Sequence, residues 1–498
     1  MKLSVLLSRP APLLPCADVE ISGLALDSRA VRQGDCFLAY PGHKIDGRDF
    51  MQEVSSTVAA IIYDPENLSP AQAQWLAQST IPAVPYEHLA KQVTHLAATF
   101  HGKPSEDQHI IAVTGTNGKS SIVHGLNQLY GMLNEPIAMI GTIGVGALHA
   151  LKPAQLTTPD PVKLQETLKQ LRDEGIENIA IEASSHALDQ DRISAVDIDV
   201  AIFTQISRDH LDYHETLENY VKAKSRLLHF KSVKHVVINL DCPYFYALID
   251  SIPQEKIIIG YTLHDKTHPR LAALLRVTDI KASLLGQEFT LHYLDKAYPV
   301  STRLLGEFNV SNIVAMIAAM MADGFSLSEI TALIPALQTV PGRLDIIHVA
   351  GKPMAVIDYA HTPDALEKVL LALKPLCHGK LFCVFGCGGD RDKGKRPQMG
   401  MIAARLCDQI IITDDNPRSE DPSAIVSDIL AGITTTDTVE VIHDRGQAIE
   451  RAITQAGPND CILIAGKGHE TSQVLKDKTI EFCDKTYTQH CLQARSAL

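Results

Sequence analysis

The segment that most constrains this chain is His109-Ile-Ile-Ala-Val-Thr114 running directly into Gly115-Thr-Asn-Gly-Lys-Ser-Ser121. A continuous run of Ile, Ala and Val suits a strand buried on both faces, as in a parallel sheet covered by helices. A glycine-containing turn follows, and a segment of helical character opens from about Ser120. Strand, turn and helix in that order predict a βα unit with its turn at the strand's carboxyl end, where open α/β sheets hold ligands. Backbone N–H groups of Gly115, Thr116, Asn117 and Gly118 can cradle phosphate oxygens there. Lys119 can reach the terminal phosphates, and Ser120, followed by Ser121, can offer a hydroxyl to Mg²⁺. The loop departs from a full Walker A, because Val113 stands where a glycine six residues before the lysine is expected.

The same alternation continues along the chain. Ile137–Ile140, Ile179–Glu182, Val200–Phe203 and Val236–Ile238 read as further buried strands, with helices over Pro161–Glu174 and Leu217–His229. Earlier, Val58–Tyr63 reads as a strand, Gly42–Arg48 as an exposed polar loop, and Leu89–Phe100 as a helix with apolar positions three and four apart. After Pro341-Gly-Arg343 a third unit repeats the style through Ala355–Asp358, Leu381–Phe385, Gln409–Thr413, Val439–Ile442 and Cys461–Ala465. At about 150 residues per domain, 498 residues predict three domains. The boundaries read are 1–88, 89–340 and 341–498, all of α/β class with parallel-rich sheets.

Composition narrows the function. Lys and Arg number 45 against 58 Asp and Glu, a formal charge of −13, which argues against a nucleic-acid or anionic-membrane surface. The ten cysteines form no C-x-x-C pair and read as reduced thiols of a cytoplasmic protein. The opening MKLSVLLSRPAPLLPC resembles an export signal, but its apolar run ends after Leu3–Leu7, and Pro15 stands where a lipid-attachment box needs a small residue. No apolar stretch approaches the ~20 residues of a membrane span. The expectation is a soluble, cytoplasmic monomer with no nucleic-acid or membrane partner.

Two further segments carry chemistry. Glu182 ends an apolar strand and runs into Ala-Ser-Ser-His186; such a carboxylate is held by neighbouring backbone or by a metal. Asp209, His210, Asp212 and His214 follow another strand. Two histidines four apart could bind zinc, but a nucleotide site already calls for a hard cation, which favours Mg²⁺ with a His ligand. Lys222 and Lys224 read either as solvated helix charges or as part of this site.

The blocks TGTNGKSS, EASSHALDQDR, FTQISRDHLDYH, GEFNVSN, VPGRLD, DYAHTPDAL, GCGGDRDKGKRP, TDDNPRSEDP and AGKGHE occur in this order, and together they resemble the Mur ligases, ATP-dependent amide-bond formers of peptidoglycan precursor synthesis. The last four blocks are similar to those of the diaminopimelate-adding branch. The resemblance implies an N-terminal domain for the uridine nucleotide, a central P-loop-like ATPase domain and a C-terminal Rossmann-like domain. It implies that Lys119 binds phosphate, that Ser120, Glu182 and His210 bind Mg²⁺, and that Lys224 is carbamylated and supports a second Mg²⁺. Asn309 and Asn312 resemble adenine contacts, and Arg343 and Asp358 contacts to phosphate and ribose, with His361 in the same loop. For UDP-N-acetylmuramoyl-L-alanyl-D-glutamate the implied contacts are Ser28, His43, Asp46, Gly47, Arg48, Thr157, Thr158, Ser184, Gln190 and Arg192. For meso-diaminopimelate they are Asp415, Asn416, Pro417 and Arg418, with Arg391, Gly466 and Glu470. A planar guanidinium at Arg418 would grip the carboxylate that lysine lacks.

The chain departs from the family pattern at Gln205 (usually Asn), Glu215 (usually Gly) and Asp345 (commonly Glu). A lysine-adding sister enzyme, a folate polyglutamylating ligase and a non-catalytic nucleotide-binding module are the alternatives. Arg418 disfavours the first, and the SR and GHKIDGR elements disfavour the second.

Overall fold

The computed structural model describes residues 1–9, 15–42, 45–283, 286–434 and 437–494. Its strands are β1 (Gly23–Ala25), β2 (Asp35–Ala39), β3 (Ala60–Tyr63), β4 (Ala83–Pro85), β5 (His109–Thr114), β6 (Ile137–Gly141), β7 (Gly144–Gly146), β8 (Asn178–Glu182), β9 (Val200–Phe203), β10 (His235–Asn239), β11 (Ile257–Thr262), β12 (Ala273–Ser283), β13 (Gly286–Tyr293), β14 (Lys296–Thr302), β15 (Asp345–Ile347), β16 (Met354–Asp358), β17 (Leu381–Phe385), β18 (Gln409–Ile412), β19 (Val439–Val441), β20 (Cys461–Ala465), β21 (Ser472–Val474) and β22 (Thr479–Glu481). They form a four-stranded sheet β1-β2-β3-β4, a ten-stranded sheet β14-β13-β12-β11-β10-β9-β5-β8-β6-β7, a six-stranded sheet β15-β16-β20-β17-β18-β19 and a β21-β22 ribbon.

The chain divides into two compact units. One holds Met1–Ala112, Glu135–Ala201 and Arg226–Lys234. Its four-stranded sheet is parallel throughout. The helix Leu89–Phe100 buries Leu89, Val93, Leu96 and Ala97 in the same core as Leu24, Leu38 and Ile62, as its apolar spacing predicts. The helix Pro161–Asp173 begins where Asp160 accepts from the N–H groups of Val162 and Lys163 and Pro161 occupies the first turn.

The other unit holds Val113–Asn134, Ile202–Ser225 and His235–Leu498. The helix Glu307–Ala322 is apolar on nearly every face, and it is buried against the helix Lys119–Met132 and strands β10 and β11. In the six-stranded sheet β15 is antiparallel to β16, and β16, β20, β17, β18 and β19 are parallel. The register places Asp358 opposite Ala465, Val384 opposite Ile464 and Phe385 opposite Ile412. Four loops therefore leave one carboxyl edge together: Tyr359–Thr362, Gly466–Glu470, Gly386–Arg391 and Thr413–Arg418.

The large sheet is parallel-rich as expected, and three details add to the sequence reading. Beyond the parallel pair β11–β12, the strands β12, β13 and β14 form an antiparallel meander. Their alternating, half-exposed pattern lacks the solid apolar runs that marked the buried strands. The helix read over Leu217–His229 is α-helical only to Ser225 and closes with a 3₁₀ turn over Arg226–His229. In the segment read as an exposed loop at 42–48, residues 43 and 44 lie outside the described residues, Gly42 and Ile45 are exposed as expected, and Gly47 opens a 3₁₀ turn, Gly47–Phe50, in which Arg48 is buried.

Candidate functional site

The phosphate loop lies between β5 and the helix Lys119–Met132. Gly115 and Gly118 have φ of +147° and +92°, and a Cβ on Gly115 would lie 1.8 Å from the Thr204 hydroxyl, so only glycine fits. Lys119 Nζ donates to the carbonyls of Gly115 and Thr116 at 2.9 and 2.8 Å. The hydroxyl of Thr204 donates to Asn117 O at 2.7 Å, tying the loop to the end of β9. Ser120 is buried at the helix N-terminus, and Ser121 faces a cavity of about 420 Å³ with Asn117, Gly118, Asn312, Arg343 and Asp358. Asn309, one turn before Asn312, donates to Leu305 O at 2.8 Å. Asp358 accepts from the N–H groups of Leu344 and Ala360, both at 2.7 Å, and burial raises its pKa against the pull of Arg343. Arg343 itself stacks 4.5 Å over the Tyr359 ring.

Lys224, on the helix Leu217–Ser225, packs its amine against this loop. It is 1% exposed and donates to Gly115 O at 2.8 Å. Burial, then the nearby Lys119, pushes its pKa well below the ordinary lysine range, favouring the neutral amine. Asp209 is also buried, but His210, His361 and Lys395 outweigh that burial and hold its pKa at about 2. His361, with Nδ1 2.9 Å from Tyr359 O, is held at about 4 by burial and then by Lys395. His210 has φ +54° ahead of the helix Leu211–His214, so it and His214 are not the i, i+4 pair of one regular helix. Among the described residues, no group of three or more His, Cys, Asp or Glu side chains forms a metal cage.

At the carboxyl edge of the six-stranded sheet, Asn416 Nδ2 donates to Glu470 Oε2 at 2.9 Å. Lys467, fully buried, donates to Asn416 Oδ1, Glu470 Oε2 and Ser472 O at 3.2, 2.8 and 2.7 Å. Burial raises the pKa of Asp415, opposed by Arg445 and Lys467, while Gly466 N donates to Asp358 O at 3.0 Å. Pro417 O accepts from Glu420 N and closes the turn. Arg418 follows at φ +52°, and its Nη1 donates to Gly389 O at 2.8 Å. Burial, then the neighbouring Arg391, lowers the Arg418 pKa. Arg391 donates to Asp390 O at 2.9 Å, and no carboxylate among the described residues forms an ion pair with either guanidinium.

The first unit assembles a second constellation. Glu182 is 1% exposed; its Oε1 accepts from Thr142 N at 2.8 Å. Thr158 Oγ1 donates to Glu182 O at 2.6 Å and accepts from Ser184 N at 3.1 Å. Arg192 donates to Gln190 Oε1 and to Thr158 O, at 2.9 and 3.1 Å. Thr157 accepts from Thr142 Oγ1 at 3.0 Å, so Thr157, Thr158, Ser184, Gln190 and Arg192 belong to one network around Glu182. Ser28 opens a 3₁₀ turn capped by Asp27. Asp46 takes the Arg48 guanidinium at 3.0 and 2.7 Å, and Arg48 Nη1 donates to Asp64 O at 3.1 Å. Gly47 N donates to Tyr40 O at 3.0 Å, and His43 lies outside the described residues.

Sequence reasoning missed Thr142, Thr204 and Lys467. Nothing local marks the threonines, whereas the lysine inside AGKGHE, between two glycines after a buried strand, was a readable signal.

Residues 20–101 match the Mur ligase family catalytic domain, 113–320 the Mur ligase middle domain and 342–468 the Mur ligase glutamate ligase domain. The chain belongs to the Mur ligase family. One relative, the UDP-N-acetylmuramoyl-L-alanyl-D-glutamate–2,6-diaminopimelate ligase of Pseudomonas putida, is 41% identical over 490 residues, 96% of each chain. A solved structure of a ligase of the same name aligns over 95% of each chain with TM-score 0.67 and 35% identity. The Thermotoga maritima MurF ligase, solved in complex with ADP, aligns over 89% of this chain and 93% of its own with TM-score 0.60; at 18% identity it shows the fold alone. Among the described residues of this Mur ligase no helix is long and apolar enough to cross a membrane.

Proposed function

We propose that this chain joins meso-2,6-diaminopimelate to UDP-N-acetylmuramoyl-L-alanyl-D-glutamate, converting ATP to ADP and phosphate in peptidoglycan precursor synthesis. The observation that carries the amino-acid assignment is the pair Arg391 and Arg418, two adjacent guanidinium groups with no carboxylate in ion-pair contact among the described residues. A dicarboxylic amino acid supplies what they lack; lysine would leave them unpaired. Glu470, already accepting from Asn416 and Lys467, is placed to take an ammonium group.

In this reading an oxygen of the D-glutamate γ-carboxylate attacks the γ-phosphorus of ATP, and ADP leaves. The amine of diaminopimelate then attacks the acyl carbon, loses a proton, and phosphate departs. Lys119 and the loop N–H groups from Gly115 to Ser121 stabilise charge on the phosphoryl oxygens. Asn312, Arg343 and Asp358, which line the cavity beside the phosphate loop, take the nucleotide together with Asn309 and His361 in this reading, and Ser28, Asp46, Gly47 and Arg48 with the Glu182 network serve the uridine substrate. For Mg²⁺ the proposed ligands are the buried hydroxyl of Ser120 and the buried carboxylate of Glu182, which forms no ion pair among the described residues and is a hard oxygen donor, together with the imidazole of His210. Magnesium, when bound, supplies charge neutralisation on the phosphates.

Carbamylation of Lys224 is supported by its burial, which disfavours the ammonium, since the free amine is the species that adds to CO₂. The domains proposed are 1–88 for the uridine nucleotide, 89–340 for ATP and 341–498 for the amino acid, in a cytoplasmic monomer.

The test is phosphate release measured with each substrate omitted in turn. Release requiring both the uridine dipeptide and diaminopimelate is expected, and equal turnover with lysine refutes the assignment. Lys224→Ala is expected to lose activity and regain part of it with short carboxylates; a fully active variant refutes the carbamate.

A further inference from the structure

The segment 204–208 after β9 is hydrogen-bonded on both sides, and this gives two of its residues a role beyond the phosphate loop. On one side it is stitched to that loop. Thr116 N donates to Gln205 O at 2.7 Å, and Ser207 N donates to Thr116 Oγ1 at 3.0 Å. On the other side it reaches the helix Pro363–Leu373 and the loop that follows β17. Gln205 donates through Nε2 to Asp364 Oδ2 at 2.7 Å and accepts from Lys368. Asp364 also accepts from Asn117 Nδ2 of the phosphate loop at 3.0 Å. Three residues on, Arg208 meets Asp392 in a two-pronged pair, Nε to Oδ2 at 3.0 Å and Nη2 to Oδ1 at 3.2 Å.

The second contact bears on the amino-acid pocket. Asp392 follows Arg391 directly, and its Oδ1 also accepts from Gly394 N at 2.8 Å, which fixes the turn that carries both residues. The turn is shaped around the incoming guanidinium: a Cβ on Gly394 would lie 2.4 Å from Arg208 Nη2 and 3.2 Å from Asp392 Oδ1. A planar fork on a carboxylate fixes direction as well as distance, which a lysine at 208 would not do.

We infer that Arg208 is a positioning residue that acts through Asp392 to hold Arg391 in the diaminopimelate pocket, coupling the phosphate-loop side of the site to amino-acid selection. The inference rests on the proposed assignment of Arg391 and Arg418 to that pocket. Arg208 touches no reacting atom in this scheme. Its loss frees the 391–394 turn and weakens amino-acid binding, while ATP and the uridine substrate bind as before.

Steady-state kinetics on Arg208→Gln, Asp392→Asn and the double variant test this in the full-length enzyme. Each single variant is expected to raise the KM for diaminopimelate about three- to fivefold, the size a half-exposed forked pair supports, with KM for ATP within about twofold. The double variant is expected to be no worse than either single one. An unchanged KM for diaminopimelate, an equal rise for ATP, or additive losses in the double variant would overturn the inference. Arg418→Ala run alongside separates the two readings. If it leaves the KM for diaminopimelate unmoved, the pocket assignment falls and this inference with it. If it raises that KM while Arg208→Gln does not, this inference alone falls.

Discussion

Arg418 shows what a single side chain does in this molecule. Its backbone is held at φ +52° by the turn through Pro417, and its Nη1 is spent on Gly389 O, so the guanidinium is pre-aimed and half-desolvated before a substrate arrives. Arg418→Ala is expected to raise the KM for diaminopimelate at least tenfold, about the 1.5–3 kcal/mol of a charge-assisted pair, and to leave the KM for ATP near its original value. Initial rates at varied amino acid and ATP check both halves. Glu215 makes the opposite point. It sits at φ +65°, ψ −50°, a conformation that costs a residue with a Cβ about 1 kcal/mol or more. Glu215→Gly is therefore expected to raise the thermal midpoint by a degree or more, read by calorimetry; a fall would show that the Glu215 side chain compensates for the strain. The departure was visible in the sequence as an unusual residue, but its φ was not, because φ is set by how the turn after His214 returns to the helix Leu217–Ser225.

At the scale of elements, the loops after β17 and β18 are fastened by one buried arginine. Arg396, fully buried on the helix Lys395–Leu406, donates to both oxygens of Glu420 at 3.0 and 2.9 Å and to Asp428 at 2.9 Å. Glu420 in turn accepts from Asp390 N, joining the loop of Arg391 to the loop of Arg418. The Arg396 hydrogen bonds, against a smaller opposing effect of burial, hold the Glu420 pKa at about 2, below its ordinary 4.5. A carboxylate depressed in the folded state contributes stability that is present above pH 4.5 and is lost as pH falls toward 2. Glu420→Gln is expected to lower the thermal midpoint at neutral pH and to flatten its fall across that window. A variant whose pH profile parallels the wild type would show that the ion pair contributes nothing there. Neither GDRDKGKRP nor NPRSEDP announces this pairing, since Arg396 and Glu420 are 24 residues apart and meet only when β17 and β18 lie side by side.

For the whole molecule, a formal charge of −13 coexists with sites that gather Lys119, Arg343, Arg391 and Arg418. Net charge governs the far field, whereas binding depends on charges within a few ångströms of the ligand. Arg391 is exposed, so screening acts directly on it. Raising ionic strength from about 0.05 to 0.5 M shrinks the Debye length severalfold and is expected to raise the KM for diaminopimelate by a few-fold, more than that for ATP. Titrating salt in initial-rate assays checks this; an insensitive KM would remove the exposed guanidinium from the amino-acid contact. The composition excluded nothing about these sites, because it averages over surfaces the substrates never meet.

The sequence by itself determined the α/β class, most of the buried strands, the phosphate loop and the blocks that mark the family. These are local: an apolar run with no alternation has to be covered on both faces, and a glycine-containing turn directly after such a strand, ending in Gly118-Lys119-Ser120, carries its phosphate-binding character in its own residues. Only the tertiary structure decided that Arg48 is buried and already bound to Asp46, Asp64 and Glu66, that Lys467 organises Asn416 and Glu470, and that Arg208 reaches Asp392. The physical reason is the same in each case. A long polar side chain reads alike in sequence whether solvated or buried, and its partner is chosen by which loops the strand order brings to one edge.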